Sequence, residues 1–115
     1  MTDTQLHKHP MVVLRRHWTI HALQQFCARY NPADYEPDAL IDLVDRIECK
    51  YRTAFANPYW DRHSKVMIVA KLTRRNPAVS PKVRIVYDRW TKVIVTVLPL
   101  KLDPNRPRRL KTLTV

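Results

Sequence analysis

Glycine is absent from all 115 residues, and no other feature limits the folds open to this chain as much. Glycine takes a left-handed backbone without steric cost and lets a main chain close on a phosphate. Without it, tight turns fall to Asn, Asp, Ser and Pro. Glycine-rich phosphate loops and dinucleotide-binding turns are excluded outright. Residues 82–99, KVRIVYDRWTKVIVTVLP, give the clearest element between such breaks. Val83, Ile85 and Tyr87 alternate with Arg84 and Val86, the two-residue period of a strand, and Val93, Val95 and Val97 repeat it beyond a polar turn. Pairing Tyr87 with Val93 places Ile85 opposite Val95 and Val83 opposite Val97, so one hairpin face is wholly apolar. In that register the other face sets Val86 against Ile94 and Arg84 directly across from Thr96. Arg84 beside Thr96 is either a solvated cross-strand pair or the start of a site.

The length fits one domain that buries about two thirds of its unfolded surface, and the 45% hydrophobic content is that of a globular chain. A core over residues 11–100 is expected, with an arm at 1–10 and a basic, Pro- and Arg-rich tail at 101–115. Twenty-one Lys and Arg against 10 Asp and Glu give a net charge of +11. Such an excess attracts polyanions, phosphate backbones above all, so RNA or the ribosome is the expected partner. No long apolar run or basic amphipathic helix points to a membrane. No charged segment leads into an apolar core and a cleavage site, so a cytoplasmic setting is expected. Cys27 and Cys49 form neither a disulfide framework nor a four-ligand zinc pattern. No cofactor is expected.

Thr19 is placed to cap a helix running to about Tyr30, where Asn31-Pro32 stops it. Ile20, Leu23, Cys27 and Tyr30 would face the core, while His21, Gln25 and Arg29 line another face at four-residue steps. His17 and His21 have the spacing of a helical zinc pair, but HWTIH lacks the glutamate of a zinc protease, and no metal is assigned. A second helix opens at Tyr35-Glu36-Pro37-Asp38, carries Leu40, Val44, Ile47, Tyr51 and Phe55 on one stripe, and ends at Asn57-Pro58. The loop from Tyr59 to Ser64 can stack on bases or pack Trp60 over the sheet end. A strand over 65–72 follows, then Lys71, Arg74 and Arg75 lead into a proline-bounded loop. Those three, with Arg106, Arg108, Arg109 and Lys111 of the tail, are the candidate phosphate contacts. The order predicts an α+β fold, with two N-terminal helices packed on a C-terminal antiparallel sheet of three to four strands.

His21-Ala22-Leu23 through Arg29, a second long helix, and Val93-Ile94-Val95-Thr96-Val97-Leu98-Pro99 in the last strand carry a resemblance. Over residues 17–99 the chain resembles the small ribonuclease-toxin fold that includes barnase-, colicin- and RelE-like domains. The resemblance implies RNA cleavage without a metal, in which the ribose 2′-hydroxyl attacks the adjacent phosphate. It implies His21 as general base or acid, Arg29 as a phosphate clamp and Thr96 as a donor; Arg84, from the hairpin pairing, adds a cation. It also implies an acidic protein partner such as an antitoxin or immunity protein. Related sequences often place another Arg where this chain has Gln25-Phe26. Two readings stand beside the enzyme: a non-enzymatic basic adaptor for RNA or ribosome, and a small phage-type inhibitor of a host nucleic-acid complex.

Overall fold

The structure, a computed structural model, describes residues 16–101 and 110–115. Helix α1 is Ile20–Arg29, a 3-10 turn spans Pro32–Asp34, α2 is Pro37–Ile41 and α3 is Leu43–Ala56. Strands β1 (Lys65–Lys71), β2 (Lys82–Asp88), β3 (Val93–Leu98) and β4 (Thr112–Thr114) make one sheet in the order β3-β2-β1-β4. The fold is α+β with helices before strands, as the sequence pattern predicts. The sheet is mixed rather than antiparallel throughout, because β4 pairs parallel to the free edge of β1. Part of the expected basic tail is therefore sheet. Val69 and Lys71 are tied to Val115 by main-chain hydrogen bonds of 3.1 and 2.8 Å.

Thr19 caps α1 as expected: its Oγ1 accepts from Ala22 N–H at 3.0 Å, and the helix stops at Tyr30. The buried face of α1 differs from the expected one. Ala22, Leu23 and Phe26 are buried, whereas Cys27 is exposed and Ile20 is 55% exposed. Main-chain bonding sets this rotation. Trp18 lies parallel along β3, with Ile94 N–H donating to His17 O (2.7 Å) and Thr19 N–H to Ile94 O (3.0 Å). Thr19 Oγ1 also donates to Val95 O at 3.0 Å. The helix thus starts locked to the sheet edge, and Trp18, packed edge-on to Phe26, enters the core.

The second helix begins at Pro37, in the first turn as expected, with Tyr35 buried just ahead of it, and it divides at Asp42. Leu40, Leu43, Val44 and Ile47 are buried against the sheet, while Tyr51 and Phe55 are half-buried at its margin. Each fully buried aliphatic side chain contributes about 1.5–3 kcal/mol of transfer free energy.

The hairpin register differs from the expected one. Arg84 pairs with Leu98, Ile85 with Val97 and Val86 with Thr96, then the register shifts so that Tyr87 pairs with Ile94 and Asp88 with Val93. Val95 is the extra residue of a bulge, so Ile94 faces the core in place of Val93 and Val95, while Val97 faces it as expected. Asp88 organises the turn by accepting from Trp90 N–H (3.0 Å) and Thr91 N–H (3.3 Å). Lys92 takes the left-handed position, φ 59°, where glycine would otherwise serve.

The core face of the sheet carries the row Val97–Ile85–Ile68–Leu113, with Ile94, Tyr87 and Val66 beside it. The opposite face carries Thr96–Val86–Met67–Thr112 and, one step along, Leu98–Arg84–Val69–Thr114. Val86 and Met67 are only 6% and 7% exposed, so the middle of that face is closed rather than half-open. Among the described residues, no helix is long and apolar enough to cross a membrane.

Candidate functional site

Because the segment through Trp18 runs along β3, the first turn of α1 hangs over the sheet edge. His21 projects from that turn, and its Nε2 lies 3.2 Å from Thr96 Oγ1, an exposed contact between residues 75 apart in sequence. A hydroxyl both donates and accepts. The contact therefore suits either tautomer of the ring: Nε2 accepts from Thr96 when Nδ1 carries the hydrogen, and Nε2–H donates to Thr96 when Nδ1 is bare.

Arg84 shares a sheet face with Thr96 but is not directly across from it. The bulge moves Val86 opposite Thr96 and leaves Arg84 on the diagonal, a separation of about 7–8 Å between backbones. Its guanidinium leans the other way, toward β1, with Nη1 3.2 Å from Met67 Sδ. Its Nε is buried with no hydrogen-bond partner among the described residues. Arg29 lies eight residues past His21 in α1, about 12 Å along the helix axis. His21 and Thr96 are brought together, Arg84 stands near them, and Arg29 sits at the far end of the helix.

Tyr30, which sequence reasoning took only as a core residue, ties these parts to one another. Its Oη donates to Leu98 O at 2.8 Å and accepts from Arg84 N–H at 3.3 Å, fastening the end of α1 to both hairpin strands. Burial raises its phenol above the usual value, against the lowering pull of Arg84 and Arg29. A tyrosine just ahead of Asn-Pro marked the helix end in sequence, but nothing there marked its hydroxyl as the fastener.

The expected phosphate contacts separate into two groups. Arg74 is occupied within its own loop, donating to Pro77 O (3.1 Å) and Val79 O (2.5 Å). Arg75 forms an ion pair with Glu36 at 3.2 Å. Lys71 borders a groove that Glu36, Asp38 and Asp42 also line, so three carboxylates oppose the field of that basic run. Lys111 lies at the other end of the sheet, donating to Trp60 O at 2.7 Å. Arg106, Arg108 and Arg109 lie outside the described residues. Among the described residues, no three His, Cys, Asp or Glu side chains gather as a metal-binding group.

The chain matches no protein-family model, no curated protein and no solved structure. Its chemistry is therefore argued from the site alone.

Proposed function

We propose that this protein binds cellular RNA and cleaves it without a metal at the His21–Thr96 pair, in the manner of the small ribonuclease toxins. The observation that carries the reading is the exposed imidazole held 3.2 Å from a threonine hydroxyl at a sheet edge, in a chain of net charge +11. When His21 donates its Nε2–H to Thr96 Oγ1, Nδ1 keeps its lone pair and is the nitrogen that exchanges a proton with the substrate. It takes the 2′-hydroxyl proton as that oxygen attacks phosphorus and returns one to the departing 5′-oxygen. The products are a 2′,3′-cyclic phosphate and a 5′-hydroxyl, and no water is consumed. Arg84, on the diagonal from Thr96, is the nearest of the expected cations, and Arg29, about 12 Å along α1, adds only to the field around the phosphate.

The test is cleavage of a single-stranded RNA, with 2′-deoxy substitution at the scissile position as control. His21→Ala is expected to lower cleavage by about 100-fold or more while RNA affinity is retained. Equal cleavage by the variant, or equal cutting of the 2′-deoxy substrate, overturns the mechanism. A second reading, the basic adaptor, is favoured by the turn of the Arg84 guanidinium onto Met67, away from Thr96. An adaptor cuts no RNA, and its binding follows Lys and Arg substitutions instead.

A further inference from the structure

The hairpin turn and the loop after α3 meet at the end of the sheet around one buried cation. Arg89 is 7% exposed. Its guanidinium donates to the main-chain carbonyls of His63 (3.0 Å), Phe55 (2.9 Å) and Asp61. With all three acceptors on the loop and the end of α3, Arg89 fixes the turn against them. Its guanidinium carbon stands 5.4 Å from the centre of the Trp60 ring and 5.6 Å from that of Trp90. Lys111 Nζ lies over Trp60 at 4.4 Å. Trp60 is itself anchored edge-on to Phe55, with ring centres 5.5 Å apart. The cluster is thus rigid on its inner side.

Its outer side is exposed. Tyr59 is 94% and Trp90 66% exposed, two of the three large apolar side chains left in solvent among the described residues. Packing does not account for either: each stands at the tip of an anchored turn with its ring unburied. The surroundings are cationic, with Arg62, Lys65, Lys92 and Lys111 all exposed. The two carboxylates nearby are engaged within their own turns. Asp61 Oδ1 accepts from His63 N–H at 3.0 Å, which holds its carboxyl below the usual range, and Asp88 accepts from Trp90 and Thr91 N–H.

Exposed aromatic faces on a rigid base, ringed by Lys and Arg, match unpaired nucleobases on a phosphate backbone. Every base has a face to stack, and every step carries a negative charge. An acidic protein segment would satisfy the cations but gives no reason for two aromatic rings held out in solvent. We infer that Tyr59 and Trp90 form a stacking platform for the unpaired bases of single-stranded RNA, with Lys92 and Lys111 on its phosphates. The inference rests on the reading of this protein as an RNA binder, but not on cleavage. The candidate active site begins about 10 Å along β3 from the turn, at Thr96, so one strand can run from platform to site.

The experiment is a binding titration of a short oligouridine and of a matched RNA duplex, with every protein carrying His21→Ala so that cleavage plays no part. Trp90→Ala and Tyr59→Ala are each expected to weaken oligouridine binding by about tenfold, to leave duplex affinity unchanged, and to leave the salt dependence unchanged, since no phosphate contact is removed. Trp90→Phe, which keeps a ring, is expected to restore most of the loss. Because both side chains are exposed, the variants fold, and thermal melts verify it. Oligouridine binding unaffected by Trp90→Ala and Tyr59→Ala overturns the platform while leaving RNA binding in place. An equal loss on duplex and single strand also overturns it. No binding of either RNA overturns the platform and the proposed function together.

Discussion

Tyr87 shows how one buried hydroxyl makes the fold sensitive to alkali. The ring is fully buried and stacked on Phe55, and its Oη donates to Glu48. Burial first, then the Glu48 carboxylate, push the phenol far above its ordinary value of 10.0. An unfolded Tyr loses its proton near pH 10 while the folded one keeps it. Above that pH the unfolded state therefore binds fewer protons, and stability falls as pH rises. Below it, this residue contributes no pH dependence. Urea midpoints for the wild type should be level from neutrality to about pH 9 and drop beyond pH 10. Tyr87→Phe should show a shallower drop, though not a flat line, because burial also raises Tyr30 and Tyr35. An unchanged alkaline limb in Tyr87→Phe would assign the sensitivity elsewhere. At this scale some residues were legible in the sequence: Thr19 announces a cap by its type and position. The roles of Arg89 and Tyr30 were not, because each depends on carbonyls brought in from distant segments, and main-chain partners leave no trace in side-chain spacing.

Among the elements, the two helices were legible from apolar period and from Asn-Pro stops, and both hairpin strands from alternation. Register was not. A bulge adds one residue without altering the composition of either strand, and a run such as Val93-Ile94-Val95 presents an apolar side chain in any phase. The phase error carried into the candidate site, where Arg84 was expected across from Thr96 and Val86 stands there instead. The His21–Thr96 contact survives it, because it depends on Trp18 lying along β3. Identical substitutions separate the two registers. Val97→Ala, at a fully buried position, should cost about 2 kcal/mol, and Ile94→Ala about 3 kcal/mol. Val95→Ala, at the half-buried bulge, should cost less than about 1 kcal/mol. Equal losses at Val95 and Val97 in chemical denaturation would restore the unbulged register and return Thr96 to the position directly across from Arg84.

For the molecule as a whole, the net charge of +11 was legible from composition alone. How the charge is distributed was not. Arg74 and Arg75 belong to the proline-bounded loop and to Glu36, and Lys71 faces carboxylates, so the most conspicuous basic run in mid-sequence is partly neutralised where it stands. At the end with Lys111 the nearby carboxylates, Asp61 and Asp88, accept main-chain N–H groups within their own turns, and Arg108 and Arg109 lie just ahead of Leu110-Lys111 in sequence. Truncating the C-terminus is a poor probe of these arginines, since β4 would leave with them and expose the edge of β1. Substitution separates charge from structure. Replacing Arg106, Arg108 and Arg109 together by Gln should flatten the plot of log affinity against log salt by about 2, since each contact with single-stranded phosphate contributes about 0.7. Arg75→Gln should change that slope by less than about 0.7, because its loss also frees Glu36 beside the groove. Titration of oligouridine across a salt series, in the His21→Ala background, measures both. If the Arg75 variant flattens the slope more than the triple variant does, RNA runs over the Lys71 end of the sheet instead, and the path from the aromatic turn to His21 is wrong.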